Sequence, residues 1–464
     1  MRPLLFRLLI LFAVIGLIAA PVLFTANADI RRADSALADA RPLDAAADLE
    51  HAATLLFWRA DLMERAGRAA FAGRDMAAAA CLLGQANQLS VDGWSDLGAS
   101  YYQLGQFDES MRVLQRGLDV HGANASLYRG LALAHNAQGN FESEAAALQK
   151  YIALDDSDAA VHHRLGLLLS IFDPETALPE LMASAKLDEA YDPAAQTMRS
   201  ALNLSSIQTD ESSRLVVIGR GLGLVQEWQL AREAFQRAAA ADAENAEAWA
   251  WLGEAEQHLG QEGGEELARA EALDPFSSSV RALSGLYWKR KGESQKALAQ
   301  FQWAAAIEPQ NPAFLAALGD AYAFAGDLPP ALSAYLRATE LAPTDANYWR
   351  MLATFCGQYS FQVVEVGIPA AQRSLALAPD EAFSYDLLGW TYMAANMFEL
   401  AEAKLLAALR LDPDYAPAHL HLGQVYLQMN RMEDARDHLL QALALDPDGA
   451  DGTMAAQLMG LYFP

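Results

Sequence analysis

The place where this sequence comes nearest to reaction chemistry is a run of glycines after four aliphatic residues. Leu215-Val216-Val217-Ile218 leads into Gly219, Gly221 and Gly223, imitating a strand that feeds a phosphate-cradling loop. A dinucleotide fingerprint needs G-x-G-x-x-G, and the third glycine position here is Leu224. Nine histidines invite a metal site. His419 and His421, two apart, are turned about 200° from each other on a helix, and the adjacent His162 and His163 diverge as well. The sequence contains no H-E-x-x-H, no paired C-x-x-C, no G-x-S-x-G and no lysine-bearing phosphate loop. Asp155, Asp156 and Asp158 cluster without the spacing of a calcium loop and read as a solvated turn. The expectation is therefore no enzyme, no cofactor and no metal.

The elements that carry these residues explain the glycines better than phosphate does. Gly219 precedes Ala231 by twelve positions and Ala238 by nineteen, and the same offsets join Gly389 to Ala401 and Ala408. Between Ala378 and Asp448 the chain superposes on itself at a shift of 34: Pro379, Pro413 and Pro447 fall in register, as do Gly389 with Gly423 and Tyr392 with Tyr426. A fixed period of this length marks a solenoid. Tyr385, Leu388, Gly389 and Tyr392 share one helical face, and Ala401, Leu405 and Ala408 define a second helix. Small residues at Gly389, Ala401 and Ala408 let two backbones approach closely. Leu411-Asp412-Pro413 closes the unit, because proline cannot continue a helix and disfavours helical geometry in its predecessor. One such hairpin cannot bury its own apolar face, so neighbours must stack.

The glycine recurs at positions 98, 130, 166, 219, 253, 285, 319, 389 and 423, with Ala353 taking its place once. Steps run from 32 to 36 except one of 53, between Gly166 and Gly219. That long step holds an expected extra helix from Asp192 to Asn203 and a polar loop from Ser205 to Ser213. It divides the array into sub-arrays 29–190 and 214–464, with 191–213 as the joint. A short helix from Gly452 to Leu461 reads as a C-terminal cap, and 29–90 as degraded first repeats. Cys81 and Cys356 fall in distant repeats, too far apart to bridge, and read as apolar fillers.

These residues resemble the tetratricopeptide-repeat family, whose Trp-x-x-Leu-Gly-x-x-Tyr pattern stands intact at Trp94, Leu97, Gly98 and Tyr101. Trp249, Leu252 and Gly253 repeat its first part, and Leu318, Gly319 and Tyr322 its second. The resemblance implies an all-α fold: a right-handed superhelical solenoid of helical hairpins that binds proteins or peptides on its inner face. In that family, ligand contacts come mainly from the first helix of each pair, at fixed offsets from the glycine. Here those offsets fall on Leu127, Leu131, Leu167, Ile171, Val216 and Leu224, and further on upon Leu286, Phe324, Trp390, Met393, Leu420 and Leu427. Phe383, six residues before Gly389, joins them. Basic residues are scattered there (Lys289, Arg290, Arg350), which does not match the family's carboxylate-clamping version. The expected partner is an apolar segment or helix, gripped around Phe383, Trp390, Met393, Leu420 and Leu427. Burial of some of these side chains by the curvature of the array is the competing reading.

The formal charge of −26 argues against nucleic acid as a partner. Arg2 and Arg7 precede an apolar run from Leu8 to Phe24, followed by Ala26-Asn27-Ala28. Basic start, apolar middle and small-x-small end make an export signal over 1–28. Pro21 and the Ala-x-Ala end fit cleavage after Ala28, whereas the length of the run and Arg31 and Arg32 beyond it fit a retained hydrophobic anchor helix. Either places the array outside the cytoplasm, membrane-anchored or in the periplasm or medium. The functional expectation is an exported scaffold or adaptor; the alternative is a stably bound structural subunit of a larger membrane enzyme complex.

Overall fold

The hairpins follow from what the chain does at its turns. After Gln103 the backbone reaches Gly105 at φ 72°, a left-handed conformation that costs glycine little. The Gly105 and Gln106 amides then donate back to the carbonyls of Tyr102 and Tyr101, both at 2.9 Å, and close the helix. Asn396 and Asn430, at φ 59° and 57°, serve later turns in the same way. Several of the helices that open a pair are capped by a polar side chain: Asn124, Asp158 and Asp345 accept from backbone amides in the first turn. Inside the hairpin the repeating glycine is sterically required. A methyl on Gly389 would come 2.6 Å from Leu405 Cγ, and one on Gly423 2.7 Å from Leu439 Cγ. Leu405 and Leu439 are fully buried, each contributing about 1.5–3 kcal/mol relative to exposure.

The structure is a computed structural model that describes residues 2–463, with side chains from Ala20 onward. Among the described residues there are 26 α-helices and no strand. Two compact units divide the chain, Met1–Ala234 and Phe235–Pro464. The first contains α1 (Arg2–Ala38), α2 (Pro42–Leu55), α3 (Ala60–Ala72), α4 (Met76–Gln85), α5 (Val91–Gln103), α6 (Phe107–His121), α7 (Ala125–Ala137), α8 (Phe141–Ile152), α9 (Ala159–Phe172), α10 (Pro174–Leu187), α11 (Asp192–Ser205) and α12 (Glu211–Leu224). The dividing point falls inside α13 (Trp228–Ala241). The second unit continues with α14 (Ala246–His258), α15 (Gly264–Leu273), α16 (Ser278–Arg290), α17 (Ser294–Ile307), α18 (Pro312–Phe324), α19 (Leu328–Leu341), α20 (Ala346–Gln358), α21 (Ile368–Leu377), α22 (Ala382–Ala394), α23 (Phe398–Leu411), α24 (Ala416–Gln428), α25 (Met432–Leu445) and α26 (Ala450–Tyr462).

The long step between Gly166 and Gly219 contains α11, packed on α10 and α12. The polar loop expected over 205–213 is shorter than its composition suggests. Asp210 accepts from the Ser213 amide at 2.7 Å and starts α12 at Glu211. Division by compactness falls at 234/235, not within 191–213. Where Ala353 replaces the repeating glycine, α20 is followed by a π-helical turn, Val363–Gly367.

At the N-terminus the backbone is one helix from Arg2 to Ala38. Most of the 1–28 segment read as a signal or anchor lies outside the residues whose side chains are described. Among the described residues no helix is long and apolar enough to cross a membrane. The later part of α1 belongs to the array. Ala26 is fully buried and Asp29 nearly so. The Asp29 carboxylate pairs with Arg32 and sits 2.7 Å from His51 Nδ1, while Arg32 reaches Asp48 at 2.9 Å.

Candidate functional site

The residues singled out for reaction chemistry take structural roles. Gly219, Gly221 and Gly223 lie within α12, a helix and not a loop. Asp158 caps α9, and Asp155 accepts from Ser157. His162 Nδ1 is 2.6 Å from Glu180, whereas the His163 ring packs on Tyr191 with centroids 4.6 Å apart. His419 Nδ1 lies 2.9 Å from His438 Nδ1, and His421 Nδ1 lies 2.8 Å from Asp386. Among the described residues no group of three or more His, Cys, Asp or Glu is placed to hold a metal ion. Cys356 is buried, which pushes its thiol up to about 12.

The opening helices of four successive hairpins in the second unit, α16, α18, α20 and α22, together with α19 line a cavity of about 410 Å³. Its floor is aromatic: Phe355 packs on Tyr335 with centroids 5.1 Å apart and on Tyr359 at 5.5 Å. Its rim carries Phe324 and Phe383, which stay 43% and 40% exposed, far more than a core aromatic. Arg350 extends its guanidinium over the Phe383 ring, 5.1 Å from the centroid. That guanidinium also donates to Ser384 Oγ at 3.3 Å and to Glu381, yet its Nε is buried without a partner. Opposite, Lys289 Nζ lies 3.6 Å from Asp320, which accepts from the Tyr335 hydroxyl. Burial first, and then the Asp320 charge, raises the Tyr335 phenol far above its ordinary value and keeps it a neutral donor. Lys289 is paired with Asp320 and Arg350 with Glu381, so each cation at the mouth already faces a carboxylate.

The residues expected along the groove are distributed differently from one another. Phe324 and Phe383 meet in this cavity. Met393 and Leu427 meet in a second one of about 440 Å³, walled by Leu458 and Tyr462 of α26. Leu127, Leu131 and Leu420 are buried. Leu286 is half-buried between two core clusters. Trp390 is half-buried and wedges against α20, so close that a methyl on Gly357 would lie 2.5 Å from its Cζ3. Of the three scattered cations, Lys289 and Arg350 share the cavity, whereas Arg290 is committed to Glu254 at 2.8 Å. Sequence reasoning missed Asp320, Tyr335 and Tyr359. The signal was available for Asp320, which directly follows Gly319 at one of the ligand-facing offsets.

Tetratricopeptide-repeat profiles match residues 95–159, 225–278 and 387–450, and a second profile of the same description matches 290–354. Together they cover more than half of the sequence. This chain is a tetratricopeptide-repeat protein. Among solved structures, Cut9 with Hcn1 from the APC/C hetero-tetramer is similar over 97% of this chain and 99% of that chain, at 16% identity and TM-score 0.40. Yeast Tom70 is similar over 94% of this chain and 95% of its own, at 14% identity and TM-score 0.41. YrrB, titled a TPR protein with an unusual peptide-binding site, covers 42% of this chain and 97% of its own, at 18% identity and TM-score 0.31. No curated protein matches the chain. Tetratricopeptide hairpins thus account for the repeating glycine, and the cavity is built from their opening helices.

Proposed function

We propose that this tetratricopeptide-repeat protein is a membrane-tethered scaffold that captures a segment of another protein in the cavity between α16 and α22. The observation that carries the reading is the pair Phe324 and Phe383, left exposed on one cavity rim beside Lys289 and Arg350. Exposed aromatics around a concavity act as anchors whose truncation commonly costs at least ~2 kcal/mol of binding. The ion pairs Lys289–Asp320 and Arg350–Glu381 at the mouth offer a ligand both donors and acceptors. The partner is therefore a segment that presents a bulky apolar residue flanked by polar groups, more polar than the wholly apolar segment expected from sequence. A photo-crosslinking residue at position 324 or 383 should capture a defined partner in cells. The same residue at Trp303, exposed and lined up with no part of this cavity, is the control. Equal capture from position 303 would remove the cavity from the reading.

The tether rests on α1. Cutting after Ala28 would discard the fully buried Ala26 and place a new ammonium beside the buried Asp29 carboxylate. That packing supports retention of the N-terminal helix as an anchor, with the array outside the cytoplasm. Protease added to spheroplasts should digest the array, and the mature chain should begin before Ala26. Full protection, or a chain starting at Asp29, refutes export or retention respectively.

A further inference from the structure

The loop between α2 and α3 leaves two large aromatics in the open. Phe57 is 76% and Trp58 59% exposed. They hold each other edge to face, with centroids 5.1 Å apart. Folded chains seldom leave such a pair to water without a use for it. Their position along α1 indicates the use. Asp29 faces His51 and Arg32 faces Asp48, an antiparallel register in which each step back along α1 matches one step forward along α2. That register puts Leu55, the last residue of α2, level with Thr25, so the turn that carries Phe57 and Trp58 begins beside the stretch of α1 that holds Leu23 and Phe24. At that same level α1 exposes Leu23 and Phe24, the latter at 78%. Beyond it toward the N-terminus lies the apolar run that begins at Leu8. The run from Leu8 to Phe24 is about 25 Å long as a helix, close to the ~30 Å of a bilayer's hydrocarbon.

We propose that Phe57 and Trp58, with Phe24, form a bilayer-contact patch that seats the first hairpin in the headgroup region where α1 leaves the membrane. Aromatic rings concentrate at that depth because one edge is satisfied by acyl chains and the other by the wet headgroups. The occupant is the lipid surface. It is favoured over a protein because the patch is continuous with the end of the apolar run and lies at its level. The patch fixes the tilt of the first hairpin, since contacts on α1 and on the turn between α2 and α3 constrain orientation where a single helix crossing would leave it free.

This inference rests on the tethered reading, and the experiment separates the two. The full-length chain, with Cys81→Ser, is reconstituted in phosphatidylcholine–phosphatidylglycerol liposomes and carries a nitroxide at Trp58→Cys or, in a second variant, Phe57→Cys. Asp44→Cys, exposed nearer the opposite end of α2, is the aqueous control. Relaxation by oxygen reports lipid and relaxation by a water-soluble nickel chelate reports solvent. The expected result is a reversal: oxygen dominates at 57 and 58, the chelate at 44, in protein that resists carbonate extraction. Carbonate-resistant protein whose labels at 57 and 58 read as aqueous as that at 44 overturns the patch and leaves the tether standing. Release by carbonate overturns both.

Discussion

Truncating Trp390 separates a ligand-facing aromatic from a structural wedge. The indole lies on α22 with its Cζ3 and Cη2 edge against Gly357 of α20, and the His421 ring stands 6.2 Å away on α24. It therefore ties three hairpins together. Full removal of a buried tryptophan costs about 3–5 kcal/mol, and half-burial scales that to roughly 2–3 kcal/mol. For a unit of some 230 residues this corresponds to a fall in melting temperature of roughly 5–10 °C. Phe383→Ala should move it far less, because that ring is already 40% exposed. A double-mutant cycle sharpens the test. Gly357→Ala alone must displace the indole and should destabilise. In a Trp390→Ala background the clash is gone, and the same change should gain up to about 1 kcal/mol from helix propensity. Calorimetry of the full chain reads both. A Trp390→Ala protein that melts with the wild type, or a Gly357→Ala effect of the same sign in both backgrounds, refutes the wedge.

The C-terminal unit should weaken as pH rises. Burial lowers the His421 pKa, but Asp386 and then Asp451 outweigh it and leave the net shift upward. Stability from that pair is therefore complete below about pH 6.5 and is lost as pH climbs through the raised value, at no more than about 1.4 kcal/mol per unit. Urea titrations at pH 6 and 8.5 should show the fall, and His421→Gln should flatten it. In the first unit, Arg164 holds the buried Glu144 carboxylate at 2.8 and 3.0 Å, with Asn136 as the other partner. Arg164→Ala strands that charge and should cost about 3–5 kcal/mol, with an apolar substitution of Glu144 restoring most of it in the double variant; no restoration contradicts the assignment. Alkylation at pH 8 should modify Cys81 and spare Cys356, giving one adduct per native chain by mass spectrometry.

The fold was legible because its period is written in residues with a steric job. Gly389 and Gly423 announce the close approach of Leu405 and Leu439, and Pro413 announces the turn. Helices without a fixed partner type were less legible. Asp210 shortened an apparent loop by capping α12, which composition over 205–213 does not convey. The candidate site was legible only in part. Positions counted from the glycine include Phe324 and Phe383, which line one cavity, but also Leu127, Leu131 and Leu420, which are buried. Spacing fixes the face of a helix, not how closely the next hairpin leans on that face. Trp390 illustrates the difference, since a glycine on another repeat decides whether its ring is groove or wedge.

The walls of the cavity, from Lys289 on α16 to Phe383 on α22, belong to successive hairpins that are joined mainly to their neighbours. Its width is thus set by the angle between repeats, and a solenoid bends at those angles. A ligand touching both rims would work as a brace, resisting the bending of the spring it sits in. Linkage makes the converse equally true: a pull on the C-terminal hairpins that straightens the stack would spread the rims and release the ligand. Grip and stiffness would then be two readouts of one coordinate, and load could control occupancy without any second binding site.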